Sequence, residues 1–342
     1  MSNYPQQIGK SERISQNRIV QLFQDKLKYQ YLGDWQEETR VQPIEEPILK
    51  KHLLAKGYSE ILAQKAVDEA VKTAKNLSNG LYDANKEVYR LLRYGVTVRE
   101  ELGKPKETVW LIDWKNPEQN DFAIAEEVTV HGKHSKRPDI VIYVNGIALG
   151  VIELKKSKIG CEEGIRQNLD NQKPEFIQNF FTTMQLLVAG NDTQGLRYGT
   201  IETTEKYYLK WKEETTESYE YILDKHVSQL FDKSRLLELI YDFVIYDKGI
   251  KKLCRPNQFF GIKAAHTHVR TKTGGIIWHT QGSGKSLTMV WLTKWIRENV
   301  TDSRVLIITD REELDDQIEK LFTGVDEKIY RTIIEKIKCT QI

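Results

Sequence analysis

Two apolar runs, "IVIYV" and "IALGVIEL", meet at Asn145-Gly146, and this junction limits what the chain can fold into more than any other stretch. Asn-Gly between β-branched runs is a strong hairpin signal, because both residues tolerate the left-handed backbone of a tight turn. The hairpin also carries charge. Asp139 opens its first strand, while Glu153 and Lys155 close its second. Glu153 and Lys155 are two apart and share a face. Whether Asp139 joins them depends on the turn. A two-residue Asn-Gly loop sets Asp139 opposite Ile152, on the other face from Glu153. A three-residue loop, Val144-Asn145-Gly146, with Gly146 left-handed as a bulge, brings all three polar residues to one side. The looser turn, or an equivalent bulge near Asp139, is therefore expected.

Two carboxylates a few Å apart repel unless a divalent cation sits between them, and oxygen-liganded Mg²⁺ suits such a pair. Lys155 could then orient water or offset charge on a phosphodiester, which is nuclease chemistry. The competing reading is a surface hairpin with solvated charges. Glu153 follows an apolar run that reads as a buried strand, where an unpaired carboxylate is costly. Other candidates carry less. His131 and His134 lack partner ligands at metal spacing and read as loop histidines. Glu126-Glu127 reads as a strand edge, and Trp110, Trp114, Trp278, Trp291 and Trp295 as core.

The flanking segments place this hairpin in an α/β unit. Residues 1–47 are polar, with one short helix expected around "NRIVQLFQDKL". Apolar residues at helical spacing run from Ile48 to about Tyr94. Short alternating runs follow, "TVWLIDW" and "FAIAEEVTV" before the hairpin, then a polar helix from "CEEGIRQNLDNQ", a strand in "MQLLVAG" and a second hairpin in "LRYGTIET" and "KYYLKW". A net charge of +2 among 342 residues leaves a nucleic-acid partner to a local patch. Cys161, Cys254 and Cys339 are far apart and suit buried thiols in a reducing compartment. No run approaches a membrane span and no signal sequence is visible, so a soluble cytoplasmic protein is expected.

A second unit begins after the acidic "KEETTESYEY" and a helical connector around "SRLLELIYDFVIY". "GGIIWHTQGSGKSLTM" reads as strand, glycine loop and helix, with Ile276–Trp278 as the strand, and "RVLIITD" reads as the next strand. Gly282 and Gly284 let successive N–H groups from Thr280 through Ser283 face phosphate oxygens at a helix N-terminus. Lys285 is placed to reach the β- and γ-phosphates of ATP, and the Ser286 hydroxyl to ligate its Mg²⁺. His279 stands where the usual pattern has its first Gly. Gln258, at the start of its own helix, could pair with adenine or simply be solvated.

Taken together, "LRYGV", "IDWKNPEQNDFAIAEEV", "RPDIVIYVNGIALGVIELK", "GGIIWHTQGSGKSLTM" and "TDREELDDQ" resemble the restriction and translocation (R) subunit of type I restriction-modification enzymes, over nearly the whole chain. The resemblance implies a PD-(D/E)xK endonuclease core, with Asp139, Glu153 and Lys155 at its site, joined to a RecA-like motor that moves along double-stranded DNA. The expected division is a helical extension over 1–105, the nuclease core over 106–215, a connector over 216–252 and part of a RecA-like domain over 253–342. It further implies Mg²⁺ and ATP as cofactors, methyltransferase and specificity subunits as partners, and Gln258 as an adenine reader. Asp310 and Arg311 then fall in the helicase motif after the P-loop. One departure concerns the helix after Glu153. A QxxxY pattern supports related sites, and here Gln167 is present but Asn171 replaces the Tyr. No acidic ATPase box and no second motor domain precede Ile342, so this stretch alone is not expected to hydrolyse ATP. A silent fragment that keeps DNA, ATP or subunit contacts is the rival expectation.

Overall fold

The structure, a computed structural model, describes residues 12–309 and 312–325. Asp310, Arg311 and Cys339 lie outside the described residues. In chain order the elements are α1 (Glu12–Asp25), β1 (Gln30–Asp34), α2 (Glu46–Ala55), α3 (Glu60–Lys75), α4 (Leu81–Tyr94), β2 (Val96–Arg99), β3 (Lys106–Val109) and β4 (Phe122–Glu126). There follow β5 (Ile140–Val144), β6 (Ile147–Leu154), α5 (Cys161–Asn171), β7 (Leu186–Asn191), β8 (Gly195–Gly199), β9 (Leu209–Lys210), α6 (Ile222–Leu230) and α7 (Lys233–Phe243). The last are β10 (Val244–Asp247), β11 (Ile250–Leu253), α8 (Pro256–Arg270), α9 (Lys285–Asn299) and α10 (Glu312–Gly324). None of these helices is long and apolar enough to cross a membrane.

Contacts divide the chain into two compact units, one holding the residues up to Val244 with Gly249–Pro256, the other Ile245–Lys248 with the residues from Asn257 on. The first is built on a mixed seven-stranded sheet in the order β1-β4-β5-β6-β7-β8-β9. The helical run expected from Ile48 to Tyr94 is present as three helices. α3 starts at Ser59, whose hydroxyl accepts from the Leu62 N–H at 3.3 Å, and it buries a small-residue stripe through Ala63, Ala66 and Ala70. The N-terminal segment holds more than the expected helix: β1 pairs in parallel with β4, so the sheet draws its edge strand from a stretch whose sequence, "QYLGD", has no apolar alternation. That strand exists because β4 offers it a row of backbone partners, a tertiary cause that periodicity does not record.

"TVWLIDW" departs from expectation too. Only its first two residues are in a strand, β3, which pairs with β2 in a separate ribbon, and Trp110 beyond it is 46% exposed rather than core. A core cluster lies on the sheet face covered by α5, where Val141, Tyr143, Val151, Leu187 and Ala189 meet Ile165. α5 is the crossover that makes β6 and β7 parallel. Cys161 and Cys254 are buried and unpaired, as expected of structural thiols.

In the second unit α9 and α10 pack through Val290, Ile318 and Phe322. Trp291 and Trp295 are buried, but Trp278 is 88% exposed. Neither Ile276–Trp278 nor "RVLIITD" is a strand among the described residues, contrary to expectation. A parallel strand is held by ladder bonds to its neighbours, and these segments pair with none among the described residues, leaving Ile276, Leu306 and Ile308 exposed.

Candidate active site

The register of β5 against β6 decides which side chains meet. Val144 pairs with Ile147 and Tyr143 with Ala148, so the Asn145-Gly146 turn has two residues, not three. Both have positive φ, 54° and 81°, the type I′ form that suits the twist of a hairpin. A Cβ on Gly146 would also lie 2.9 Å from the Glu45 carbonyl oxygen. The expected three-residue loop is therefore corrected. The expected bulge is present, on the opposite strand: Ile142 pairs with Gly150 and Ile140 with Ile152, leaving Leu149 as an extra residue in β6. One extra residue turns every later side chain to the other face relative to β5. Continued by one step, the pairing sets Asp139 across from Glu153.

Asp139 is 9% exposed and Glu153 fully buried. The Leu154 N–H donates to Asp139 Oδ2 at 2.7 Å, fixing one carboxylate against the end of β6. Gln167, one and a half turns into α5, donates from Nε2 to Glu153 Oε2 at 2.6 Å. Gly164 allows that approach, since a Cβ there would lie 3.0 Å from Ala189 Cβ and 3.4 Å from Glu153 Cβ. Glu153 Oε1 has no hydrogen-bond donor among the described residues, and the Asp139 carboxyl lies within hydrogen-bonding reach of the Glu153 carboxyl. Lys155 Nζ donates to the Leu154 carbonyl at 2.9 Å and lies 3.5 Å from Glu12 Oε1. Burial pushes the Asp139 carboxyl up to about 6, opposed by the Leu154 N–H and the Lys155 charge. Burial, and then the charge of Asp139, push Glu153 well above the usual carboxylate range. Metal-free, the pair is thus a proton-holding one.

Asn171, at the place of the absent Tyr, is 1% exposed, and neither side-chain polar atom has a partner among the described residues. His131 and His134 are exposed in a loop, as expected. Sequence reasoning expected α1 as a helix but missed its part in the site. Gln16 Nε2 donates to Glu126 Oε2 at 3.1 Å, to Glu127 Oε1 at 2.9 Å and to the Asp139 carbonyl at 3.4 Å. The Tyr31 hydroxyl donates to Glu126 Oε1 at 2.6 Å. Glu126 is thus a buried, bonded member of the site wall rather than a strand edge alone. The paired acids gave a faint signal; nothing marked Gln16, more than a hundred residues away in sequence.

Does the pair fit a cation? Among the described residues no three His, Cys, Asp or Glu side chains converge to hold a metal ion. Mg²⁺ keeps several waters and is commonly held by one or two carboxylates together with substrate phosphates. A buried carboxylate oxygen without a donor, beside a second carboxylate held at high pKa, fits that requirement.

In the second unit, Gly282 and Gly284 have φ of 77° and 87°, and α9 starts at Lys285. The Thr280 carbonyl accepts from the Ser283 N–H at 3.3 Å, the Ser283 hydroxyl at 2.7 Å and Lys285 Nζ at 3.2 Å. Gln258, 2% exposed on α8, donates to the Gly284 carbonyl at 2.9 Å. The expected phosphate-loop residues are therefore brought together, with Gln258 beneath the loop and Ser286 in the first turn of α9. A Cβ at Gly282 would meet nothing within 4 Å.

Comparison with known proteins matches residues 9–206 to the family described as type I restriction enzyme R protein N terminus. Residues 257–338 match the SWI2/SNF2 ATPase family. A putative type I restriction enzyme endonuclease subunit, MjaIXP, of Methanocaldococcus jannaschii is 26% identical over 81% of this chain and 30% of its own length. The HindI endonuclease subunit of Haemophilus influenzae is 28% identical over 79% of this chain and 28% of its own. The SsaAORF53P endonuclease subunit of Staphylococcus saprophyticus is 28% identical over 60% of this chain and 22% of its own. The chain thus spans about 30% or less of these relatives.

Proposed function

The chain belongs to the family of type I restriction enzyme R proteins, and from that premise we propose that its first unit is a Mg²⁺-dependent endonuclease of PD-(D/E)xK architecture acting on double-stranded DNA. The observation that carries this reading is the Leu149 bulge, which sets Asp139 across from a buried Glu153 with one carboxylate oxygen that has no hydrogen-bond donor among the described residues. In this reading Asp139 and Glu153 hold the cation. Bound there, Mg²⁺ supplies positive charge to the scissile phosphate and lowers the pKa of an attacking water. Gln167 holds Glu153 by Oε2, which would leave Oε1 for the ion. Lys155 sets an ammonium beside the carboxylates, where it offsets charge building on the phosphodiester. The wall of Gln16, Glu126 and Tyr31 fixes the end of β4 beside Asp139.

The second unit carries ATP in this proposal. The N–H groups of Thr280 to Gly284 and the N-terminus of α9 take phosphate oxygens, Lys285 leaves its loop carbonyls for the β- and γ-phosphates, Ser286 takes the Mg²⁺ and Gln258 reads adenine. The division into extension, nuclease core, connector and RecA-like part is carried forward with it. In the complete cytoplasmic enzyme, methyltransferase and specificity subunits would choose the site, and ATP-driven movement along DNA would precede cleavage. Asp139→Ala, Glu153→Ala and Lys155→Ala test the nuclease assignment in a reconstituted complex. Each is expected to abolish cleavage while ATP hydrolysis persists; wild-type cleavage by any of them sinks the assignment.

A further inference from the structure

The bulge at Leu149 is gripped from outside the hairpin. The Gln185 N–H donates to the Leu149 carbonyl at 2.8 Å, and the Thr183 hydroxyl donates to the Ala148 carbonyl at 2.6 Å. Ala148 and Leu149 are the residues at which the β5–β6 register changes. The short segment before β7 therefore holds β6 where the extra residue is accommodated.

That segment is itself tied down at one point. Asn85 on α4 donates from Nδ2 to the carbonyls of Phe181, Thr182 and Met184 at 3.2, 3.0 and 2.9 Å. Lys251 on β11 donates from Nζ to Asn85 Oδ1 at 2.8 Å, to the Met184 carbonyl at 3.0 Å and to Gln185 Oε1 at 2.6 Å. Its side chain is buried at 3% exposure, and burial pushes its pKa well below the usual lysine range. A buried ammonium is costly, and apolar packing commonly serves stability as well or better. What a lysine adds is direction: one nitrogen is bonded to three acceptors, from α4 and from the segment before β7.

We propose that Lys251 is a positioning residue for the carboxylate pair, holding Thr183–Gln185 against Leu149 so that Asp139 stays across from Glu153. This deepens the nuclease reading and rests on it. If the clamp loosens, β6 can settle toward the regular register, in which Asp139 faces Ile152 instead. Lys251 touches neither carboxylate; it acts through Gln185 and the bulge.

The test reads the site directly as well as through cleavage. Hydrogen exchange of the Leu154 N–H, whose acceptor is Asp139 Oδ2, reports whether the two strand ends remain in register. In Lys251→Met, that amide is expected to exchange about tenfold faster, with the Mg²⁺ concentration for half-maximal cleavage in the reconstituted complex rising severalfold. Lys251→Gln, which keeps a donor, is expected to recover part of both. Thr183→Val removes the grip on Ala148 without touching Lys251, and should shift both readouts the same way if Lys251→Met fails to fold. Lowered thermal stability with wild-type Leu154 exchange overturns the positioning role. Wild-type cleavage by Glu153→Ala overturns the nuclease reading instead, leaving the exchange result to decide the clamp.

Discussion

Asp139 and Glu153 have little access to water, and their ionisation should be visible in stability before any DNA is added. In EDTA the folded protein holds the Asp139 proton up to about pH 6, whereas an ordinary Asp releases it near 3.8. Between those values the folded state binds more proton than the unfolded one, so this group's contribution to stability falls as pH rises and is fully lost above about 6. Asp139→Asn removes that loss while still accepting from Leu154 N–H. Its melting temperature in EDTA is expected to match wild type below about pH 4 and to exceed it above about pH 6, by on the order of 2 kcal/mol in stability. Equal melting curves at pH 8 would contradict the assignment. Gln167→Leu leaves Glu153 Oε2 buried without its donor, which should cost about 1–3 kcal/mol in denaturant melts and lower cleavage. Glu153 and Lys155 were legible because an apolar run ended on charge. Asn171 was legible only as a gap, and its two side-chain polar atoms have no partner among the described residues.

Among the elements, the β5–β6 hairpin tells most about what sequence can carry. Its strands and its turn could be read from composition, since Asn-Gly selects the type I′ form and β-branched residues favour the pleat. The bulge could only be inferred as a need: nothing in "IALGVIEL" marks Leu149 as the extra residue. The cause lies in Thr183 and Gln185, which are remote in the notation of a hairpin but adjacent in space. Deleting Leu149 should regularise the pairing and leave Asp139 across from Glu153 through the tight turn alone, preserving cleavage with circular dichroism near wild type. Abolished cleavage would mean that the bulge does more than set the pairing. β1 was illegible for a related reason, because its partner strand rather than its own pattern makes it a strand.

For the whole molecule, contacts divide the chain into two units, and the legibility of their elements differs. The glycine loop and the helix after it are local features and formed as read, whereas the strands expected at Ile276–Trp278 and after Arg304 depend on lateral partners and are absent among the described residues. Lys285→Ala is expected to abolish ATP binding measured by titration calorimetry, with DNA cleavage lost only in the complex that must move along DNA; undiminished ATP affinity would remove the loop from the nucleotide site. The bulge has a further consequence, for how relatives can diverge. Surface turns usually accept insertions freely, but the interval from Asp139 to Glu153 counts residues as a ruler does. A relative with the same tight turn and one residue fewer between its two acids should have lost the bulge and kept the pairing, while a change of one elsewhere in the interval should leave no acid pair at all.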